Sequence, residues 1–293
     1  MRGPTVLTVI PRKAPWTQRD NLIEVAWLPK FLDARARHAR SHLGPIHVRQ
    51  YLDWRVQQQR KNPRQRKDSQ PMKSTGDGMA RANRERALLS HMWNRARERG
   101  YTDGVNPCYG VEGHAEPGRE NVYIEDDDYH AVWEAADQPT RDAMDLAYLT
   151  GQRPADTLKF GERDVRGGVL QIAQDKTGIK LRMVVEGDLA QLLERIATRK
   201  RGYVVRSTAL IVNEEGQRLT ASALRARFDT ARDRAGVDKA KFQFSDLRAK
   251  AGTDKTDAAG DIRQAQKQLE HASVTMTEHY VRARRGDLVK PTK

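Results

Sequence analysis

The stretch Tyr101–Asn121, YTDGVNPCYGVEGHAEPGREN, sets the first limit on the fold. It is rich in Gly, Pro and Asn and shows no apolar period, so neither a helix nor a strand of ordinary length can run through it. The chain divides there. Its 293 residues suffice for two domains, each able to bury a core of its own. The expected boundaries are a basic, irregular lead-in over 1–19, a first domain over 20–108, a linker over 109–121 and a second domain over 122–293.

Upstream of the linker, apolar residues recur at helical spacing. Leu22, Ile23, Ala26, Leu28, Phe31 and Leu32 predict helix over 20–40, broken near Pro29; Val48, Tyr51, Leu52 and Val56 predict a helix over 47–59. Leu88, Leu89, Met92, Trp93 and Ala96 form the buried stripe of a helix over 81–99, which Gly100 stops. Between the last two lies QQQRKNPRQRKDSQPMKSTGDGM, a polar loop with no period.

Charge says which partner this half meets. The chain carries 53 Lys and Arg against 39 Asp and Glu, a net charge of +14, which calls for a polyanion or an acidic membrane face. From Arg55 to Arg99 there are 13 basic and 4 acidic residues, a local excess of 13 − 4 = +9. Such a concentration on one small helical unit points to the DNA backbone. The candidate contacts are Arg60, Lys61, Arg64, Arg66, Lys67, Lys73, Arg81, Arg84 and Arg95. No apolar run is long enough to span a bilayer, and the start MRGPTVLTVIPRK lacks a cleavage site. Cys108 is the only cysteine, so no intrachain disulfide and no cysteine zinc site can form, which fits a reducing cytoplasm.

Beyond the linker the pattern predicts helices over 124–137, 141–149, 188–199, 221–235, 246–255, 262–269 and 275–282. A β-hairpin is expected over 168–185, GVLQIAQ and IKLRMVV flanking the turn DKTG. The fold class is therefore mainly α with a small antiparallel β-sheet.

Two arginines of this half stand in unusual settings. Arg153 in LAYLTGQRPAD follows an apolar helix and a glycine; Pro154 suits the first position of the next helix, and Asp156 in that first turn can orient Arg153. Arg248 in FQFSDLRAKAG lies in an apolar setting. Each alone is equally compatible with a buried structural ion pair. Together they could hold a phosphate, since the planar guanidinium binds its oxygens bidentately and stays charged. Near the C-terminus, His271 and Tyr280 are nine residues apart, half a turn out of phase on one continuous helix. Ser273 and Thr275 are natural N-caps, so the chain is expected to turn after His271 and begin a new helix that carries Tyr280.

The ordered set TGQRPAD, DKTG, FSDLR and LEHASVTMTEHY resembles the catalytic domain of the tyrosine recombinase (phage integrase) family, and ANRERALLSHMWNRA with Asn106–Pro107 resembles the end of that family's helical core-binding domain. The resemblance runs from about Ile46 to Arg282. It implies a C-shaped DNA clamp made of a core-binding domain and a catalytic domain. Tyr280 would attack the scissile phosphodiester, Arg153 and Arg248 would clamp its oxygens, Lys176 would protonate the leaving 5′-oxygen and His271 would hydrogen-bond the phosphate. It further implies double-stranded DNA as partner, no metal, no ATP, a monomer or weak oligomer that becomes a homo-tetramer on DNA, and room for an accessory DNA-bending protein. Prophage or mobile-element integration in a bacterial cytoplasm is the implied setting.

The sequence departs from the family pattern in three places. Ser245 stands where His or Lys is usual, three residues before the second arginine; its hydroxyl can donate a hydrogen bond but is neither base nor cation. Glu270 replaces the glycine before the histidine and is expected to face out or pair with a base. Residues 1–20 are too few for the arm-binding domain of many phage integrases. The alternative reading is a catalytically impaired relative that binds DNA without cutting it. A metal-dependent nuclease is disfavoured for want of a carboxylate cluster at ligand spacing.

Overall fold

A computed structural model describes residues 10–36, 43–61, 78–116, 118–119, 121–173 and 180–285; within these, the side chains of 11, 33–36, 60–61, 173, 180, 279–280 and 282–285 are not described. The chain forms two compact units, Met1–Gly118 and Arg119–Lys293.

The first unit is helical: α1 (Pro15–Val25), α2 (Leu28–Ala36), α3 (Pro45–Lys61) and α4 (Met79–Glu98). The lead-in expected to be irregular is thus already helical from Pro15. A proline at the first helical position lacks only an N–H that would have had no partner, and it starts the element early. The break near Pro29 falls at Ala26–Trp27, so that Pro29 sits in the first turn of α2. Leu28, Phe31, Val48, Tyr51, Leu52, Val56, Ala82 and Leu89 close the core, joined by Cys108 and Val111 from beyond α4. Arg55, at the edge of the basic excess, is no DNA contact. Its guanidinium is buried 2.9 Å from the buried Glu85, which also accepts from Tyr51 Oη at 2.6 Å, and it lies 4.0 Å from the centre of the Trp27 ring. Burial raises the Glu85 carboxyl above its usual range, and the bonds from Tyr51 and Arg55 hold it back.

The second unit contains α5 (Asp126–Ala135), α6 (Gln138–Thr150), α7 (Pro154–Thr157), α8 (Gly187–Arg201) and α9 (Ala221–Arg234), together with a three-stranded antiparallel sheet, β1 (Val165–Arg166), β2 (Val169–Ala173) and β3 (Lys180–Val184), in the order β1-β2-β3. Leu170 pairs with Met183 and Ile172 with Leu181; Leu170 and Ile172 are buried while Gln171 between them is exposed, the alternation of a half-buried strand. The short β1 escaped the sequence reading because two residues carry no period. Asp137 and Thr220 cap α6 and α9, accepting from Thr140 N at 2.9 Å and Ala223 N at 3.2 Å. Asp142, fully buried on α6, is bound by Arg195 at 3.0 Å and Arg199 at 2.7 Å, which ties α6 to α8.

The last three helices, α10 (Leu247–Ala259), α11 (Ile262–Leu269) and α12 (Val274–Arg285), position the site. α10 packs against α6, α11 and α12, and every residue from Leu247 to Thr253 is buried. A helix enclosed in this way needs small residues at its crossings and partners for its charges. Gly252 meets the first need: a Cβ there would lie 2.6 Å from Leu269 Cδ1. Lys250 meets the second through Tyr123 Oη at 3.1 Å, Asp254 at 3.0 Å and Asp126. Burial alone would lower the Lys250 ammonium, but these bonds outweigh it and raise its pKa. Among the described residues no helix is long and apolar enough to cross a membrane.

Candidate active site

The end of α6 explains the TGQR motif. Gly151 takes the left-handed conformation, φ 66°, that closes the helix. A Cβ at Gly151 would lie 2.9 Å from Leu269 Cδ2, so Leu269 is wedged between two glycines, Gly151 and Gly252. Gly151→Ala combines left-handed strain with overpacking and is expected to cost roughly 2–4 kcal/mol in a denaturant melt. After the turn, Arg153 is extended and precedes Pro154 as the N-cap of α7. Its guanidinium, 40% exposed, is 4.0 Å from Asp156, whose carboxylate also receives Lys159 at 3.3 Å. Arg153 and Asp156 are therefore brought together, though Asp156 is shared.

Arg248 is the centre of the arrangement. Only 6% exposed, it donates from Nη1 to the Gly151 carbonyl at 2.7 Å and from Nη2 to the Leu269 carbonyl. These two carbonyls lie at the ends of α6 and α11, where a helix leaves acceptors without intrahelical partners. One guanidinium thereby fixes the segment leading to Arg153 and the segment leading to His271.

α11 begins at Asp261, whose side chain accepts from Arg263 N at 2.9 Å, and ends in a left-handed turn in which His271 N bonds back to the Gln266 carbonyl at 3.1 Å. α12 is then capped by Ser273, which accepts from Met276 N at 3.3 Å. The chain turns between His271 and Tyr280, as their phase requires. The His271 ring reaches the new helix, with Nδ1 2.9 Å from Oγ1 of the fully buried Thr277. Burial, then the charges of Arg248 and Arg153, push His271 down to about 4, so the ring is neutral at pH 7. Its contribution to stability is present above the usual histidine pKa of about 6.5 and is lost as pH falls through the folded value, because the unfolded chain takes up the proton first. In the tautomer with the hydrogen on Nε2, Thr277 Oγ1 donates to Nδ1 and Nε2 is left to donate to an anion.

Glu270 corrects an expectation. It does not face out, and no ion pair with a base forms among the described residues. It is 9% exposed, and its Oε1 accepts from Gln152 Nε2 at 3.2 Å. It is also the one described non-glycine residue with positive φ, 54°. Gly151 and Gly260 end their helices in the same conformation, so the turn before His271 is one that glycine fills without strain. Glu270→Gly is expected to stabilise the protein by about 1 kcal/mol, or ~2–4 °C in melting temperature, after the loss of left-handed strain is set against glycine's larger unfolded-state entropy.

The remaining sequence candidates are placed as follows. Ser245 is exposed on the single 3-10 turn Phe244–Asp246 that leads into α10, while its neighbour Asp246 is buried and held by Arg119. Tyr280 lies in α12, one turn beyond Thr277, with its side chain outside the described residues. Lys176, Arg64, Arg66, Lys67 and Lys73, and the side chains of Arg60 and Lys61, also lie outside them. On α4, Arg81 is half-buried, Arg84 is exposed, and Arg95 is paired with Glu98 at 2.6 Å. Sequence reasoning missed Gln152 and Thr277. Thr277, a hydroxyl one turn before the tyrosine on the new helix, was the signal available for the second.

The model of the phage integrase family matches residues 123–286, which run from before Arg153 to beyond Tyr280 and leave out the basic residues of the first unit. The chain belongs to the phage integrase family. In fold this integrase-family chain is similar to a lambda integrase tetramer bound to a Holliday junction, with TM-score 0.78 and 18% identity over 98% of this chain and 78% of that one. It is also similar to a lambda integrase (75–356) dimer bound to a COC′ core site, with TM-score 0.75 and 19% identity over 96% and 93%. XerH site-specific recombinase bound to a palindromic difH substrate matches with TM-score 0.65 and 14% identity over 88% and 75%. No curated protein matches the sequence.

Proposed function

We propose that this integrase-family chain is a site-specific DNA recombinase of prophage or mobile-element type, which cuts and rejoins DNA through a 3′-phosphotyrosyl intermediate. The observation that carries the reading is the hydrogen bonding of Arg248 to the carbonyls of Gly151 and Leu269, which gathers the Arg153 and His271 segments around one buried cation.

The chemistry follows from those groups. Tyr280 Oη gives its proton to solvent and attacks the scissile phosphorus as the bond from phosphorus to the 5′-oxygen breaks, and Lys176 protonates that oxygen as it leaves. Arg153 and Arg248 stabilise the charge that gathers on the non-bridging oxygens, and the neutral His271 donates to one of them. Asp156 orients Arg153, and Ser245 adds at most a hydrogen bond. One phosphodiester is exchanged for another, so no ATP is consumed. A 5′-hydroxyl of the second strand reverses the step. The first unit grips the duplex through Arg60, Lys61, Arg64, Arg66, Lys67, Lys73, Arg81, Arg84 and Arg95, a basic surface suited to phosphates. The lambda integrase relatives solved as a dimer on a core site and as a tetramer on a Holliday junction support double-stranded DNA as the partner and a tetramer as the working form.

The buried carboxylate of Glu270 favours a second reading, a DNA-binding relative that no longer cuts. A nicked suicide duplex carrying the ends of the protein's own element separates the two on a denaturing gel. The recombinase forms an adduct in EDTA, and peptide mapping places the DNA on the peptide that contains Tyr280. Salt-sensitive binding of the same duplex without any adduct would leave the second reading.

A further inference from the structure

A site proposed to hold a phosphate has no evident use for a carboxylate, yet Glu270 is buried within the field of both arginines assigned to it. Its Oε1 is held by Gln152, and its Oε2 is buried with no hydrogen-bond partner among the described residues. The cations around it are those assigned to the phosphate. Arg248 binds the carbonyl of Leu269, one residue before Glu270, and Arg153 follows Gln152 directly. His271 and Thr277 stand on the C-terminal side, and Asp156 adds a second negative charge from α7.

We infer that Glu270 is an electrostatic gate on the phosphate pocket: while ionised it opposes entry of the scissile phosphate into the field of Arg153 and Arg248, and the phosphate seats when Glu270 is protonated. The inference rests on the recombinase reading and gives it a regulation, coupling DNA engagement to the uptake of one proton. Burial outweighs the Gln152 bond and the attraction of Arg248 and Arg153, and it holds the Glu270 carboxyl above its usual range. The folded protein therefore takes up this proton before the unfolded chain does, and acidification from neutral pH relieves the pocket rather than loading it. His271, pushed down to about 4, stays uncharged over the same interval, so the carboxylate is the group beside the arginines that changes charge first. A carboxylate and an anion held in the field of the same two arginines repel enough to change affinity by roughly tenfold or more.

Sulfate is a suitable probe because it remains a dianion from pH 5 to 8. Its binding to the full-length protein is read from thermal melting at matched ionic strength. Wild-type affinity is expected to rise from pH 8 to pH 5, towards the roughly tenfold limit set by a neutral Glu270. Glu270→Gln should bind at pH 8 at least as tightly as wild type does at pH 5, with most of the pH dependence gone. Glu270→Gly, which also removes the backbone strain, should behave like Glu270→Gln because it too lacks the charge. Arg248→Gln should lose the pH-dependent binding. A wild-type pH dependence that persists unchanged in Glu270→Gln, variants that bind no more tightly at pH 8, or a dependence that survives Arg248→Gln would each overturn the gate. The recombinase reading fails separately, on the absence of a Tyr280 adduct from wild type at every pH, and the sulfate measurement decides the gate in either case.

Discussion

Tyr280→Phe is expected to bind its DNA with unchanged affinity and to form no covalent adduct at all. The substitution removes one oxygen atom, and phenylalanine has a helix propensity close to that of tyrosine, so α12 should form as before. The loss is not graded, because no other described side chain of the site is suited to stand in. His271 is neutral and engaged with Thr277, Ser245 is exposed on the turn before α10, and neither arginine is a nucleophile. The measurement is the suicide-duplex gel, with a salt titration of binding run in parallel. An adduct that persists in Tyr280→Phe would move the nucleophile elsewhere and end the assignment.

Arg248→Lys separates charge from geometry. Lysine keeps the positive charge but replaces a planar fork with a single ammonium, which cannot bind both the Gly151 and Leu269 carbonyls and still meet a phosphate oxygen along a second direction. Cleavage is expected to fall by about 10²–10³-fold, the scale of losing one preorganised donor to a developing anion. Stability should fall by about 1–3 kcal/mol, because at least one buried carbonyl loses its donor. Single-turnover cleavage and a denaturant melt on the same preparation read the two effects. A lysine variant that cleaves at the wild-type rate would show that Arg248 serves the fold and not the phosphate.

Much of this molecule was legible in the chain because its signals are local. The apolar stripes of α3 and α4, the alternation along β2 and the cap at Ser273 each depend on a few neighbouring residues, and the elements appear where those residues predict them. The order of the motifs also survives in one dimension, which is why the family could be read from them. The errors fell where a short element has no period, as in β1, and where a helix begins before its apolar stripe, as α1 does at Pro15.

Charge could not be read in the same way. Arg55 and Lys250 count as basic residues in the sequence, yet one is spent on Glu85 inside the first unit and the other on Asp126, Asp254 and Tyr123 inside the second. Glu270 looked like a residue that should face water, and it is buried beside Gln152. Its side chain leaves a left-handed turn whose direction is set by the packing of Leu269 against Gly151 and Gly252. Sequence alone determined the helical class and the family, because propensity, periodicity and ordered motifs belong to single residues or short runs. Only the tertiary structure decided which charges are buried and which partners they meet. An ion's energy depends on burial and on neighbours about a hundred residues away, as between Arg248 and Gly151, and that distance has no trace in local pattern.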